Sequence, residues 1–114
     1  MVSSADRNRL IHIRAALEEA TGYAAGMTLE ALRKDRPGQH LLMRNLEIMG
    51  EAAARLSPDF REAHPEFPWR NMIAMRNRLI HAYFDVNLAI VLETVQQALP
   101  PLKDEFRKLL NRER

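Results

Sequence analysis

The chain has 114 residues, 46% of them apolar, and its formal net charge is only +2. That length is typical of one domain, so we predict a single domain over residues 1–114, with a core small enough to gain from pairing with a second copy. The charge is too small to indicate nucleic-acid binding by itself, and the absence of cysteine excludes disulfides and thiolate metal sites. No apolar run approaches the ~20 residues that span a bilayer and no secretory pattern opens the chain, so we expect a cytoplasmic protein without a membrane partner.

The first half of the chain has the apolar spacing of helices. A first amphipathic helix is predicted over residues 5 to about 21, and Thr28 is placed to cap a short helix over residues 29–34. A longer helix is predicted over residues 39–56. Gly50 lies inside it, where glycine costs about 1 kcal/mol relative to alanine. A glycine at such a position usually marks close packing between helices.

The second half contains the helix around which the chain is organised. Residues 57–67 are predicted to form a loop with one helical turn at residues 59–63, followed by a central helix over residues 68–84. Pro68 suits the first turn of that helix because its missing N–H costs nothing there.

Two further helices complete the predicted architecture. Asn87 is placed to cap the first of them, and Pro100-Pro101 is predicted to break or kink it before a last amphipathic helix over residues 102–110. No strand pattern and no internal repeat is present. The predicted fold is therefore all-α, an up-and-down bundle of four main helices with short additional helices.

Arg76 interrupts the apolar face of the central helix. At about 100° per residue it lies in the middle of an arc of roughly 140°. The other members of that arc are apolar or aromatic: Trp69, Met72, Ile73, Leu79, Ile80, Tyr83 and Phe84. A guanidinium is always charged, and its burial without a partner costs several kcal/mol. Arg76 therefore either snorkels or pairs with a structural carboxylate such as Glu47 or Glu51, or faces a wet cleft where a second surface meets the helix.

Asn77 and His81 lie four residues apart on the neighbouring face of the same helix. Arg76 and His81 point about 140° apart on an ideal helix, so one helix does not direct both side chains to one point. A two-fold pairing of central helices would bring two arginines and two histidines to one groove. We therefore predict a homodimer with its site between the two central helices.

The same residues carry a family resemblance. Residues 76–83 read RNRLIHAY, an R-x4-H-x-Y pattern that resembles the HEPN superfamily motif and, through its tyrosine, the HepT-like ribonuclease toxins. Other segments of the chain are similar to that family as well: GEAA at 50–53, PEFPW at 65–69, YFDV at 83–86 and LPPL at 99–102. The resemblance spans nearly the whole chain and is weakest before residue 38.

The resemblance implies a metal-independent endoribonuclease toxin of a type VII-like toxin–antitoxin pair, with no cofactor and with RNA as substrate. Arg76, His81 and Asn77 would be catalytic, with Glu51 as a possible support for the arginine. In HepT-like toxins, the tyrosine corresponding to Tyr83 is AMPylated by an MNT-type nucleotidyltransferase antitoxin that uses ATP. The chemistry suits the residues, because histidine moves protons at neutral pH and arginine stabilises charge on phosphorus.

Two departures and two other functions stay open. The family often has glycine where this chain has Ala82, and usually has tryptophan where this chain has Leu92. Neither change removes a group that the chemistry needs. The alternative function is a non-catalytic helical partner, or substrate-binding subunit, of a nucleotidyltransferase. A plain structural dimer, in which Tyr83 is only a core aromatic, would leave Arg76 unexplained.

Overall fold

The structure is a computed structural model that describes residues 2–81 and 87–112, with the backbone alone described for residues 79–81. These residues form seven α-helices and one π-helical turn and contain no strand, which confirms the predicted all-α bundle. The elements are α1 (Ser4–Ala24), α2 (Leu29–Arg33), α3 (Arg36–Arg55), α4 (Pro58–Ala63), α5 (Trp69–His81), α6 (Leu88–Glu93), the π-helical turn (Thr94–Ala98) and α7 (Leu99–Arg112). Nowhere in these ranges does a helix combine the length and apolar character needed to cross a membrane.

Side-chain caps fix several helix starts where the sequence predicts them. The Thr28 hydroxyl accepts the N–H of Ala31 at 3.1 Å, and the Asn87 side chain accepts the N–H of Ala89 at 2.9 Å. Both bonds satisfy a donor that the first turn of a helix leaves free. The first helix runs three residues past its predicted end, because the chain turns at Gly26, whose φ of 73° suits glycine, and not at Gly22.

Helix α3 occupies the middle of one layer, with α1 on one side and α5 on the other. Polar contacts at both ends hold α1 antiparallel to α3. The buried Asp6 carboxylate accepts the backbone N–H of Ser57 at 2.9 Å and its hydroxyl at 2.7 Å. Toward the other end, the buried Asn45 amide donates to Glu19 at 3.0 Å. Because buried polar groups are costly without partners, these bonds set the register of the two helices.

Trp69 anchors the start of α5. Its indole N–H donates to the His64 carbonyl at 2.9 Å, and its ring stacks on Phe67 with centroids 5.1 Å apart. The ring also meets the edge of Phe106 on α7, with centroids 5.7 Å apart. Aromatic pairs of this kind contribute about 0.5–1.5 kcal/mol beyond the area they bury. This cluster therefore fixes where α5 begins and how its first turn packs against α7.

The prediction was a break or a kink at the two prolines, and the chain remains helical through Pro100 and Pro101, so the break is wrong while the kink stays a prediction. A π-helical turn comes immediately before them, and the Leu99 N–H donates five residues back, to the Thr94 carbonyl. The prolines lack the N–H groups that an α-helix would direct to the carbonyls of Gln96 and Gln97, and both of those residues lie in the π-helical turn. In the same turn, the Gln96 amide donates to the carbonyls of Ala24 and Met27 at 2.8 and 2.7 Å. These bonds link the π-helical turn to the C-terminal end of α1.

Tyr23 and Asp35 connect the end of α1 to the start of α3. The Tyr23 hydroxyl donates to the Asp35 carboxylate, which also accepts the Gly38 N–H and so caps α3. The bond from Tyr23 lowers the pKa of Asp35, and the same bond raises the pKa of Tyr23. Both groups are exposed, so this contact orients the two helices and contributes little to stability.

Candidate active site on α5

Helices α3 and α5 make their closest approach at Gly50, next to Arg76. A Cβ atom at Gly50 would lie 2.2 Å from the Arg76 Cβ and 2.6 Å from the Met72 carbonyl oxygen. Real Cβ atoms are not found at such distances from backbone, so only glycine fits while the helices keep this spacing. The packing role predicted for Gly50 is confirmed. The glycine lets the stem of Arg76 lie directly on the backbone of α3.

The Arg76 guanidinium is neither sealed in the core nor closely paired. Its side chain is 24% exposed, and its Nη1 is 3.9 Å from the Glu51 Oε2. The other Glu51 oxygen lies much closer, at 2.9 Å, to Nη2 of Arg55. The buried Arg76 Nε has no hydrogen-bond partner within the described residues. A guanidinium carries five donors, and within the described residues the only carboxylate near those on Arg76 is the distant Glu51.

The other predicted site residues are described to different extents. Asn77 follows Arg76 and is exposed on the neighbouring face of α5. His81 is the last residue of α5, but its side chain lies outside the described atoms. Tyr83 lies outside the described residues altogether, as does Phe84. The structure thus brings Glu51 and Arg76 together and leaves Asn77 exposed on the neighbouring face of α5.

Arg55 is a neighbour of the site that the sequence reasoning missed. It holds the Glu51 carboxylate from one helical turn away, on the same face of α3. The spacing of four residues between a glutamate and a following arginine is the pattern that could have revealed it, since such pairs face each other on a helix. Within the described ranges, residues 2–81 and 87–112, no three His, Asp or Glu side chains come close enough together to hold a metal ion.

We expect Gly50→Ala to destabilise the protein by about 1–2 kcal/mol. The added methyl group overpacks the α3–α5 contact, which costs about 1–3 kcal/mol, while the gain in helix propensity is at most about 1 kcal/mol. Denaturant unfolding followed by circular dichroism measures the difference. Gly22→Ala is the matched control, because a Cβ there meets nothing within 4 Å in the interior of α1. Equal stabilities for the two variants would contradict a tight crossing at Gly50.

Comparison with known proteins decides the family. The sequence model of the family described as Ribonuclease HepT-like matches residues 13–109, which includes α5 and the helices on either side of it. The chain belongs to this family. Membership confirms the resemblance seen in the RNRLIHAY segment and its extent over nearly the whole chain.

Curated relatives of this HepT-like chain match it along almost their full lengths. A protein of Thermococcus cleftensis named "Probable ribonuclease HepT" is 39% identical over 103 residues, which are 90% of this chain and 94% of that protein. A "Putative RNase" of Caldanaerobacter subterraneus subsp. tengcongensis is 36% identical over 108 residues, which are 95% of this chain and 96% of that protein. A "Putative RNase" of Methanocaldococcus jannaschii is 31% identical over 101 residues, covering 89% of this chain and 87% of that protein. No solved structure matches the chain.

Proposed function

We propose that this protein is a metal-independent endoribonuclease toxin of a type VII-like toxin–antitoxin pair, a single domain acting on RNA in the cytoplasm. Ribonuclease activity follows from membership of the HepT-like family. The observation that carries the proposed site is the Arg76 guanidinium, held between α3 and α5 without a close partner among the described residues. A purely structural arginine would be expected to donate hydrogen bonds to a close carboxylate, since an unpaired charge is costly at a half-buried position.

The proposed reaction is an attack by the ribose 2′-OH on the adjacent phosphorus. His81 removes the 2′-OH proton, the O2′–P bond forms, and the P–O5′ bond breaks with a proton delivered to the leaving 5′-oxygen. The products are a 2′,3′-cyclic phosphate and a 5′-hydroxyl end. Histidine suits both proton transfers because its ordinary pKa lies near 6.5. Arg76 donates to the oxygens of the pentacoordinate phosphorus, where negative charge increases in the transition state. Asn77 either orients His81 or donates to a phosphate oxygen.

We further propose that the site forms between two copies of the chain. Arg76 and His81 are five residues apart on α5, which directs them about 140° apart around the helix axis. A two-fold contact between α5 helices solves this problem, because Arg76 of one copy then faces His81 of the other. The half-exposed position of Arg76 is compatible with a surface that a second copy completes.

Mixing two inactive variants tests the shared site. Arg76→Ala and His81→Ala are each expected to be inactive as pure dimers. When the two are unfolded together and refolded as a mixture, half of the dimers combine one chain of each kind, and each such dimer regains one intact Arg76–His81 pair. We therefore expect about a quarter of wild-type cleavage to return, by the two-fold symmetry of the pair.

Cleavage is measured on a labelled RNA oligonucleotide with a chelator present, and the product end is identified by mass. A mixture of either variant with wild-type protein calibrates the exchange of subunits. Mixed dimers that form and still leave the RNA intact would contradict a site built from both copies. Strict dependence on added Mg²⁺ would contradict the metal-independent reaction.

The partner proposed for regulation is an MNT-type nucleotidyltransferase antitoxin that transfers AMP from ATP to Tyr83. A nucleotide attached beside the site would place negative phosphate next to Arg76 and exclude RNA. The alternative, a non-catalytic helical partner of the nucleotidyltransferase, gives no role to the available donors of Arg76.

A further inference from the structure

A cleft of about 270 Å³ opens between α1 and α3 on the face of α3 that carries Glu51. Its charged lining comes from both helices: Arg9, His12, Arg44, Glu47, Glu51 and Arg55. Three arginines and a histidine therefore face two glutamates in one depression. On α3 the charged positions are spaced three or four residues apart, so they form one ridge along the helix.

Two of the arginines in this cleft lack a partner in the part of the chain that the structure describes. Arg9 is half-buried, and its Nε has no hydrogen-bond partner within the described part of the chain. Arg44 is exposed, and it makes no ion pair or hydrogen bond with any described residue. Some other surface cations are paired: Lys34 with Glu30, Arg107 with Asp104 and Lys108 with Glu105. What distinguishes Arg9 and Arg44 is that they lie in one cleft, beside Arg55.

Glu51 joins this cleft to the candidate active site. One of its oxygens contacts Arg55, which lines the cleft, and the other is 3.9 Å from Arg76. A phosphodiester chain bound at Arg76 can therefore continue over α3 into the cleft, passing Glu51, whose charge Arg55 and Arg76 offset, to reach Arg9 and Arg44. None of the described residues that line the cleft is Phe, Tyr or Trp, so they offer no ring on which bases stack. Its guanidinium groups match phosphate oxygens instead.

We propose that this α1–α3 cleft binds the sugar–phosphate backbone of single-stranded RNA next to the cleavage site, with Arg9 and Arg44 contacting phosphates. This inference rests on the proposed ribonuclease function and extends it to the path of the substrate. Because contacts to phosphate carry no base identity, the cleft contributes affinity and position without choosing the sequence that is cut.

The salt dependence of RNA binding tests the cleft. The double variant Arg9→Gln/Arg44→Gln is compared with Arg33→Gln/Arg107→Gln, which removes the same charge from surfaces outside the cleft. Both are made in a His81→Ala background so that the RNA stays intact, and a fluorescently labelled single strand is titrated by anisotropy at several salt concentrations. The slope of log K against log salt should become shallower by about 1.4, from about 0.7 for each lost phosphate contact. Affinity near 0.15 M salt should fall roughly tenfold, while the control pair keeps the slope of its parent.

Glu47→Gln is a variant that is expected to bind RNA more tightly than its parent. It removes a carboxylate that repels phosphate in the same cleft, so binding should tighten severalfold, a result that partial unfolding does not produce. Equal slopes for the cleft and control double variants, or unchanged affinity for Glu47→Gln, would overturn the proposal. RNA bound through the cleft by a wild-type protein that cleaves nothing would instead contradict the proposed nuclease and leave the cleft assignment standing.

Discussion

Arg76→Ala is expected to lower the rate of RNA cleavage by at least 10²–10³-fold, the usual cost of removing a group that stabilises transition-state charge. The fold should survive, because alanine keeps the Cβ that packs on Gly50, the Arg76 guanidinium has only a distant ion pair with Glu51 among the described residues, and α5 is anchored through Trp69 and Met72. Arg76→Lys should lose RNA cleavage as well, since a compact ammonium does not reproduce the planar guanidinium that donates to two phosphate oxygens at once. Cleavage of total RNA in the presence of a chelator measures the loss, and circular dichroism confirms the fold.

Arg78→Ala is the control for this experiment. Arg78 is exposed on the same helix two residues away, and its removal changes the net charge by the same amount. We expect Arg78→Ala to retain most of the activity. His81→Ala should lose about 10²–10⁴-fold, as expected for a general acid–base group. Full activity in Arg76→Ala or in His81→Ala would contradict the proposed mechanism.

The sequence was sufficient for those parts of the fold that depend on local chemistry. The all-α bundle and the caps at Thr28 and Asn87 follow from apolar spacing and from side chains that accept free N–H groups. At Pro100 and Pro101 the sequence predicts a break or a kink, and the break is wrong because the structure accommodates both residues after a π-helical turn. That adjustment depends on how α7 packs, which no local pattern reveals.

The candidate site could be predicted only in part. Arg76 was recognisable as a charge among apolar residues, and Gly50 as a point of close helix packing. What the spacing did not reveal is that the two residues touch, so that the glycine sets the position of the arginine. The competition between Arg55 and Arg76 for Glu51, at 2.9 and 3.9 Å, is likewise a tertiary property. The α1–α3 cleft was missed for the same reason, because its arginines come from helices far apart in sequence.

Tyr83→Phe is expected to yield an active nuclease that the antitoxin no longer silences. A phenol with a pKa near 10 is a poor proton carrier at neutral pH, so loss of the hydroxyl should leave cleavage within about twofold of wild type. The same change removes the only atom of this side chain to which AMP can be attached. Mass spectrometry of toxin co-expressed with a cognate nucleotidyltransferase should show adenylyl groups on the peptide that contains Tyr83, and none in the Phe variant. Tyr23→Phe is the matched control, because Tyr23 is the other of the two tyrosines in the chain and bonds to Asp35 away from Arg76; it should still be modified and silenced. If wild type and Tyr83→Phe are neutralised equally, with no added mass on either, the antitoxin acts by covering the site and Tyr83 has no regulatory role.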